Sequence, residues 1–555
     1  MAKKVIFWVV LVFGFCLRIL FLETHPVGIH SQEAIVGYRA YALLSTGKDE
    51  LGRKTPLVFI SFENYQLPVQ TYLTVLSTMI FGSKPLAVRF PGVFFGTLAI
   101  LAIYGIAKQL FDQKVALWSA FLAAASPWSV FLSRVAFPEG LSFSFFAVGI
   151  YFLLKSKKNT LSVIFSIIAL LLSLYCSQTA WFVIFPLLTY LLFWDKNIFT
   201  SKKQIRIILL TCFILFLPLL GIYLRLPSAK QSLIDNNLSL FTDIGILNGI
   251  NAMRGDELRM GTPLFGKIFF NKLFWLAKIT ERVLGHFSPY FYFAKGEQNP
   301  LHGLWNFGPM FLVLIFPFIS GLLIIVKKPN YPQKLFLFWF LIVATVSGLL
   351  KKSPDLSRLI FGSPLIFIII SLGLVNFSRR LVNWVMIPLI LVNFFFVFYD
   401  AAVKEPVRAQ KVFYSDFEKI AQAVYFSYEQ YDKVYLSDGY VPDPMPLFLF
   451  YTKFPPESYY QLRPAEPIRY RFWMSEVGNI FVGKFDRFES ALGEKTVLFV
   501  TEDEINSRLA DFHYPPKSKP IVGEACYQIE EKYSNLRDEP IIYRVTGNPK
   551  CILTP

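Results

Sequence analysis

Four carboxylates, Glu33, Asp49, Glu50 and Glu63, fall in a polar stretch directly after an apolar run at the N-terminus. A carboxylate placed there suits general-base work on a hydroxyl, which is a poor nucleophile until relieved of its proton. Arg89, Arg134 and Arg358 each stand at the edge of an apolar segment. A planar, permanently charged guanidinium matches phosphate oxygens, although long basic side chains at helix ends also reach out to lipid headgroups. Residues Glu33 to Leu44 read as a helix that Gly47 stops, lying on a membrane surface through Tyr38 and Tyr41. Glu33 then has two readings, a base at the mouth of a cavity or a carboxylate matching the helix dipole after Ser31. Asp49 and Glu50 either cap the turn around Gly52 or bind a divalent cation. No metal site is complete, and the five cysteines show no CxxC or Cys/His spacing.

The elements that must position these groups are apolar runs. On a template of roughly 17 to 25 residues, about eleven spans are readable. They are Val5–Leu22, Leu86–Phe111, Val115–Leu132, Gly140–Leu154, Leu161–Tyr175, Trp181–Trp194, Ile205–Leu224, Pro309–Val326, Leu335–Leu350, Leu359–Leu374 and Leu381–Tyr399. The basic residues of alternate short loops, from Lys3 and Lys4 to Arg379 and Arg380, share one side, which the positive-inside rule makes cytoplasmic. The other side receives 23–85, the turn at 133–139, the loop 225–308, the turn at 351–358 and everything after Asp400. The fold class expected is an α-helical polytopic membrane protein, domain 1–400, followed by a small extracytoplasmic α/β domain, 401–555. In that domain Phe413–Tyr428 reads as helix, and Lys433–Leu436, Ile480–Phe485, Val497–Thr501 and Ile541–Val545 as strands.

The chain is 54% hydrophobic and carries a net charge of +17. Lys and Arg lie beside apolar runs and are not clustered on one soluble face, which excludes nucleic acid as partner. Cys526 and Cys551 share the polar C-terminal region and form a disulfide if it is oxidised there. Asn237-Leu-Ser239 fits a glycosylation sequon. The aromatic run Phe287 to Phe293 suits an interfacial belt or a sugar-stacking surface.

Several pieces together resemble the GT-C superfamily, in particular bacterial glycosyltransferases related to protein O-mannosyltransferases and aminoarabinose transferases. These are Gln32-Glu33, Gly37-Tyr38, Thr46-Gly47-Lys48-Asp49-Glu50, Ser61 to Pro68, Arg89-Phe-Pro91, Ser126-Pro-Trp128, Ser133-Arg134, His286 to Pro289, His302-Gly303 and Ser353 to Arg358. The resemblance implies surface helices over a cavity that a polyprenyl-phosphate sugar enters from the bilayer. It implies an acidic residue of the first loop as base, inverting displacement at the anomeric carbon, and basic residues on the departing phosphate. On this sequence the base is Glu33, with Glu63 and Asp49 as alternatives. The phosphate ligands are Arg89, Arg358 and Arg134, and the cavity lining includes Tyr38, Tyr65, Gln66, His286 and His302. No cofactor is required, and a divalent cation is left open.

Three departures stand out, because relatives carry Asp at Gln32, Lys or His before the proline where this chain has Gln66-Leu67-Pro68, and His at Asp355. Gln32 cannot accept a proton, which keeps a catalytically silent homologue that binds lipid-linked sugar as the alternative. A lipid or glycan transporter is disfavoured by the lack of internal repeats and of ionisable residues at mid-membrane.

Overall fold

The computed structural model describes residues 2–61, 64–156, 159–194, 201–297, 299–304, 307–327, 333–350, 353–462, 475–484, 495–505 and 527–547. Most of these are helical, and every apolar run expected to span is helical. Pro85–Leu110, Lys202–Arg225, Leu356–Asn376 and Arg379–Val403 are long and apolar enough to cross a membrane, while Leu161–Leu174, Thr179–Trp194, Leu312–Lys327 and Gln333–Gly348 are shorter apolar helices. The chain falls into two compact units. The first comprises Met1–Leu22, Leu57–Gln70 and Arg89–Ala402; the second comprises Glu23–Pro56, Thr71–Val88 and Val403–Pro555.

In the first unit the third expected span is broken. Gln113–Ala125 and Pro127–Arg134 form two helices bent by 51°. Ser126 has an extended backbone and caps the second helix by accepting from Ser129 N, with Pro127 at its first position. The break strands two carbonyls. Four residues after Ala123 comes Pro127, which has no N–H, and four after Ala124 comes Trp128, whose N–H goes to Pro309 O instead. Arg18, fully buried near the end of helix Ala2–Ile19, donates to both, at 2.8 Å to Ala123 O and 3.0 Å to Ala124 O. Ser129 Oγ, Ser133 Oγ and Gly14 O accept its remaining three N–H groups.

Elsewhere in this unit two helices meet through glycine. A methyl group on Gly373 would stand 1.8 Å from Pro317 O, and one on Gly321 would stand 1.8 Å from Ile369 O. Small residues are what allow apolar helices so close an approach. Helices missed by the sequence reading run through the loop at 225–308: Pro227–Asn237, Ile244–Arg259, Pro263–Phe269 and Lys272–Gly285.

The second unit carries a six-stranded sheet. Across it lie Ser475–Val477, Ile480–Gly483, Lys433–Ser437, Thr496–Val500, Pro540–Gly547 and Tyr527–Ser534. The middle pairs, Lys433–Ser437 with its two neighbours, are parallel, and the outer pairs are antiparallel. Four strands were readable. Ser475–Val477 and Tyr527–Ser534 were not, the latter because an exposed edge with Glu530, Glu531 and Lys532 lacks apolar alternation. The expected helix Phe413–Tyr428 is two, Glu405–Phe413 and Phe417–Gln430, separated by the left-handed residue Tyr414. Cys526 and Cys551 lie outside the described residues.

The glycine contact predicts a selective effect of a single methyl group. Gly373→Ala is expected to destabilise by about 1–3 kcal/mol, lowering the thermal midpoint of the purified protein. Gly221→Ala, where nothing lies within 4 Å, is expected to be neutral or slightly stabilising.

Candidate active site

The first-loop acids belong to the second unit, where the helix Ser31–Thr46 starts with a capping box. His30 is the N-cap, accepting from Gln32 N through Nδ1, and Glu33 accepts from His30 N through Oε2 at 3.2 Å. Glu33 is fully buried, whereas Gln32 is exposed. Asp49 closes its own turn: its Oδ1 accepts from Leu51 N and Arg53 N, and its Oδ2 pairs with the Arg53 guanidinium. Glu50 and Arg39 form a fully buried ion pair at 2.8 Å. Tyr38 is also enclosed. Its hydroxyl donates to Phe454 O, so it packs within this unit and is not a surface anchor or a cavity residue. Glu63 lies outside the described residues.

The arginines belong to the first unit, and they do not share one set of partners. Arg134 donates to the carbonyls of Leu17, Arg18, Leu20 and Phe21, closing the C-terminal end of the first helix. A cation at that end also meets the negative pole of the helix dipole. Arg89, fully buried, donates to Leu22 O at 3.2 Å. The expected convergence of three arginines on one phosphate is corrected accordingly: two of them hold backbone carbonyls of residues 17–22.

Arg358 draws on other elements. Its Nη1 donates to Asn237 Oδ1 at 2.6 Å and Thr179 Oγ1 at 3.1 Å, and its Nη2 donates to Asn236 O. Its buried Nε has no hydrogen-bond partner among the described residues. Asn237 is itself buried and donates to Gln178 Oε1, a use of the side chain that the sequon reading does not accommodate. Tyr65 is half-buried and Gln66 buried, both on the hairpin Phe59–Ser61 with Asn64–Gln66.

Beside Arg358 lies a carboxylate and imidazole cluster. His302 Nδ1 stands 2.9 Å from Glu297 Oε1 and 3.8 Å from Asp355 Oδ1. Burial works against its charged form, but Asp355, Glu297 and Glu139 together raise its pKa to about 9. Burial is overcome at Asp355 too, where His302 and Arg358 hold the carboxyl below its usual range; at Glu297 burial prevails and raises it. Glu297 Oε2 accepts from Leu356 N, and Asp355 Oδ1 accepts from Arg358 N and Ser357 Oγ. The cluster therefore clamps the loop at 297–302 to the start of the helix that carries Arg358. His286 is one layer behind, bonded to Ser347 Oγ at 2.8 Å, which in turn accepts from Asp355 N. Glu297, His302 and Asp355 also offer three metal-ligand atoms within 4.8 Å of one another.

Residues 66–222 match the family described as dolichyl-phosphate-mannose-protein mannosyltransferase. Along its whole length the chain is similar to ArnT from Cupriavidus metallidurans in the apo state, at 12% identity and a TM-score of 0.55, covering 100% of this chain and 98% of that one. The chain has the fold of ArnT. ArnT from the same organism bound to undecaprenyl phosphate gives 12% identity and a TM-score of 0.53, covering 98% of this chain and 97% of the other. No curated protein sequence matches. Within this chain the sequence reading had missed Arg18, Arg39, Gln178 and Glu297. Each was a lone polar residue whose partner is distant in sequence or, for Arg39, a carboxylate already given another role.

A histidine whose pKa is raised on folding stabilises fully below its ordinary value of 6.5, and that contribution is lost as pH rises through about 9. The thermal midpoint is expected to fall across that interval. His302→Gln should start lower at neutral pH and show a flatter profile, as followed by thermal unfolding at a series of pH values.

Proposed function

We propose that this chain is an integral membrane glycosyltransferase that moves a sugar from a polyprenyl-phosphate carrier to an acceptor on the extracytoplasmic side. In this reading about eleven segments span the bilayer, the N-terminus is cytoplasmic and the C-terminal α/β domain extracytoplasmic. The match of residues 66–222 to a family of lipid-phosphate-sugar transferases carries the proposal. The acceptor is a hydroxyl of a protein, lipid or glycan. Its oxygen attacks the anomeric carbon as a base removes its proton, the bond from that carbon to the carrier phosphate breaks, and configuration inverts. Polyprenyl phosphate leaves with its negative charge met by Arg358, whose Nε is a donor still to be used. Arg89 and Arg134 shape the end of the first helix, and Tyr65, Gln66 and His302 contribute to the donor cavity.

Glu33 is assigned as the base, where it accepts from a backbone amide at the start of its helix. Asp49 is the weaker candidate because both its oxygens are committed to the turn and Arg53. Glu63 is the next alternative. A second reading, a homologue that binds lipid-linked sugar without transferring it, is favoured by the capping role of Glu33 together with glutamine at position 32.

The readings separate in an assay of radiolabelled polyprenyl-phosphate sugars in membranes expressing the chain. Glutamine satisfies the third helical position of a capping box as well as glutamate does, so Glu33→Gln keeps the cap and removes only the base. Transfer is expected to fall by about 10²-fold or more in Glu33→Gln, and to weaken in Arg358→Ala through a lower kcat/KM. Transfer that survives Glu33→Gln moves the base to Glu63. No transfer from any donor, with undecaprenyl phosphate still bound, supports the silent homologue.

A further inference from the structure

Arg358 is the origin of a hydrogen-bond chain that runs through four side chains in one direction. It donates to Asn237 Oδ1 at 2.6 Å; Asn237 Nδ2 donates to Gln178 Oε1 at 2.7 Å; Gln178 Nε2 donates to Tyr223 Oη at 2.9 Å; and the Tyr223 hydroxyl donates to Tyr65 O at 3.3 Å. Both ends fix the polarity. A guanidinium can only donate, and a backbone carbonyl can only accept. Each amide between them is therefore held in one of its two flips, and Tyr223 in one hydroxyl rotamer. Asn237, Gln178 and Tyr223 are all buried, so the chain is shielded from competing water.

We propose that Asn237 and Gln178 are positioning residues, which aim the Arg358 guanidinium and tie its direction to the hairpin ending at Gln66. Neither is a group that meets the donor. Their part in catalysis rests on the reading of Arg358 as the ligand of the carrier phosphate, but the aiming itself does not. The first anchor is direct, because Asn237 shares Nη1 of Arg358 with Thr179, while Asn236 O takes Nη2. The second anchor is remote. Gln178 does not bond Arg358 in this chain, yet it fixes which end of the Asn237 amide faces the guanidinium.

The polarity makes the conservative substitutions informative. Asn237→Asp keeps an acceptor for Arg358 but places an oxygen against Gln178 Oε1. Gln178 must then flip, which turns its oxygen toward Tyr223 and draws the tyrosine hydroxyl away from Tyr65 O. Arg358 stays aimed and its coupling to the hairpin is lost.

The test that needs no turnover is the rate at which phenylglyoxal modifies Arg358 in the full chain in lipid nanodiscs, read by peptide mass spectrometry. Asn237→Ala and Gln178→Ala are expected to raise this rate about threefold or more, and Asn237→Asp to leave it near the parent value. In a transfer assay the donor KM of Gln178→Ala should rise about tenfold with kcat little changed, and Asn237→Asp should lower kcat with KM held. Thermal midpoints identify any variant that has merely lost its fold, in which case Asn237→Leu or Gln178→Met, which keeps the bulk and removes the amide, replaces it. An unchanged modification rate in both alanine variants overturns the inference whatever the activity. A parent chain that transfers no sugar defeats the proposed function, and the modification rates still decide the positioning role.

Discussion

A guanidinium enclosed among apolar helices must be met by acceptors, and the membrane part of this chain is organised around that requirement. The helix break at Ser126 and Pro127 creates two carbonyls with no helical donor, and Arg18 takes both. Arg134, at the end of the second half of the same bent pair, returns the favour to the first helix by closing its last turn. A straight helix through residues 113–134 would close both carbonyls to Arg18 and leave two N–H groups of a buried charge unmet, a cost of about several kcal/mol. The bend is thus the condition for placing the first helix.

The same economy governs the candidate site. Charged groups in each unit are held by partners of their own: in the second unit Glu33 by its own helix start and Asp49 by its turn, and in the first unit His302 between two carboxylates and Arg358 by Asn237 and Thr179. Groups positioned in advance lose little on binding and need not reorganise as charge develops. What differs among them is the spare capacity left. Arg358 keeps one buried donor atom open, whereas both Asp49 oxygens are engaged.

Much of the helical architecture was legible because apolar runs of membrane length are a strong signal, and four sheet strands were legible because they are short apolar runs between turns. The broken third span was within reach: Ser126-Pro-Trp128 was noticed as a motif, but its proline was not read as a helix end. Arg18 could not be found by pattern, since one arginine within an apolar run has no periodicity. Nor could the partnership of Asn237 with Arg358, which are 121 positions apart, or of Asn237 with Gln178, 59 apart. Local rules see capping and turns. They located Glu33, and the dipole reading beside the catalytic one described its observed contact well.

The order of synthesis gives the hydrogen-bond chain from Arg358 a further meaning. Its terminal acceptor, Tyr65 O, leaves the ribosome first; Gln178, Tyr223 and Asn237 follow, and the arginine is made last. Each acceptor is already waiting when Arg358 appears, whereas the charge itself is never present without somewhere to go. Late arrival of the cation spares the growing chain an unpaired guanidinium in an apolar setting, and it makes the segment around 358 the closing step in building that part of the protein.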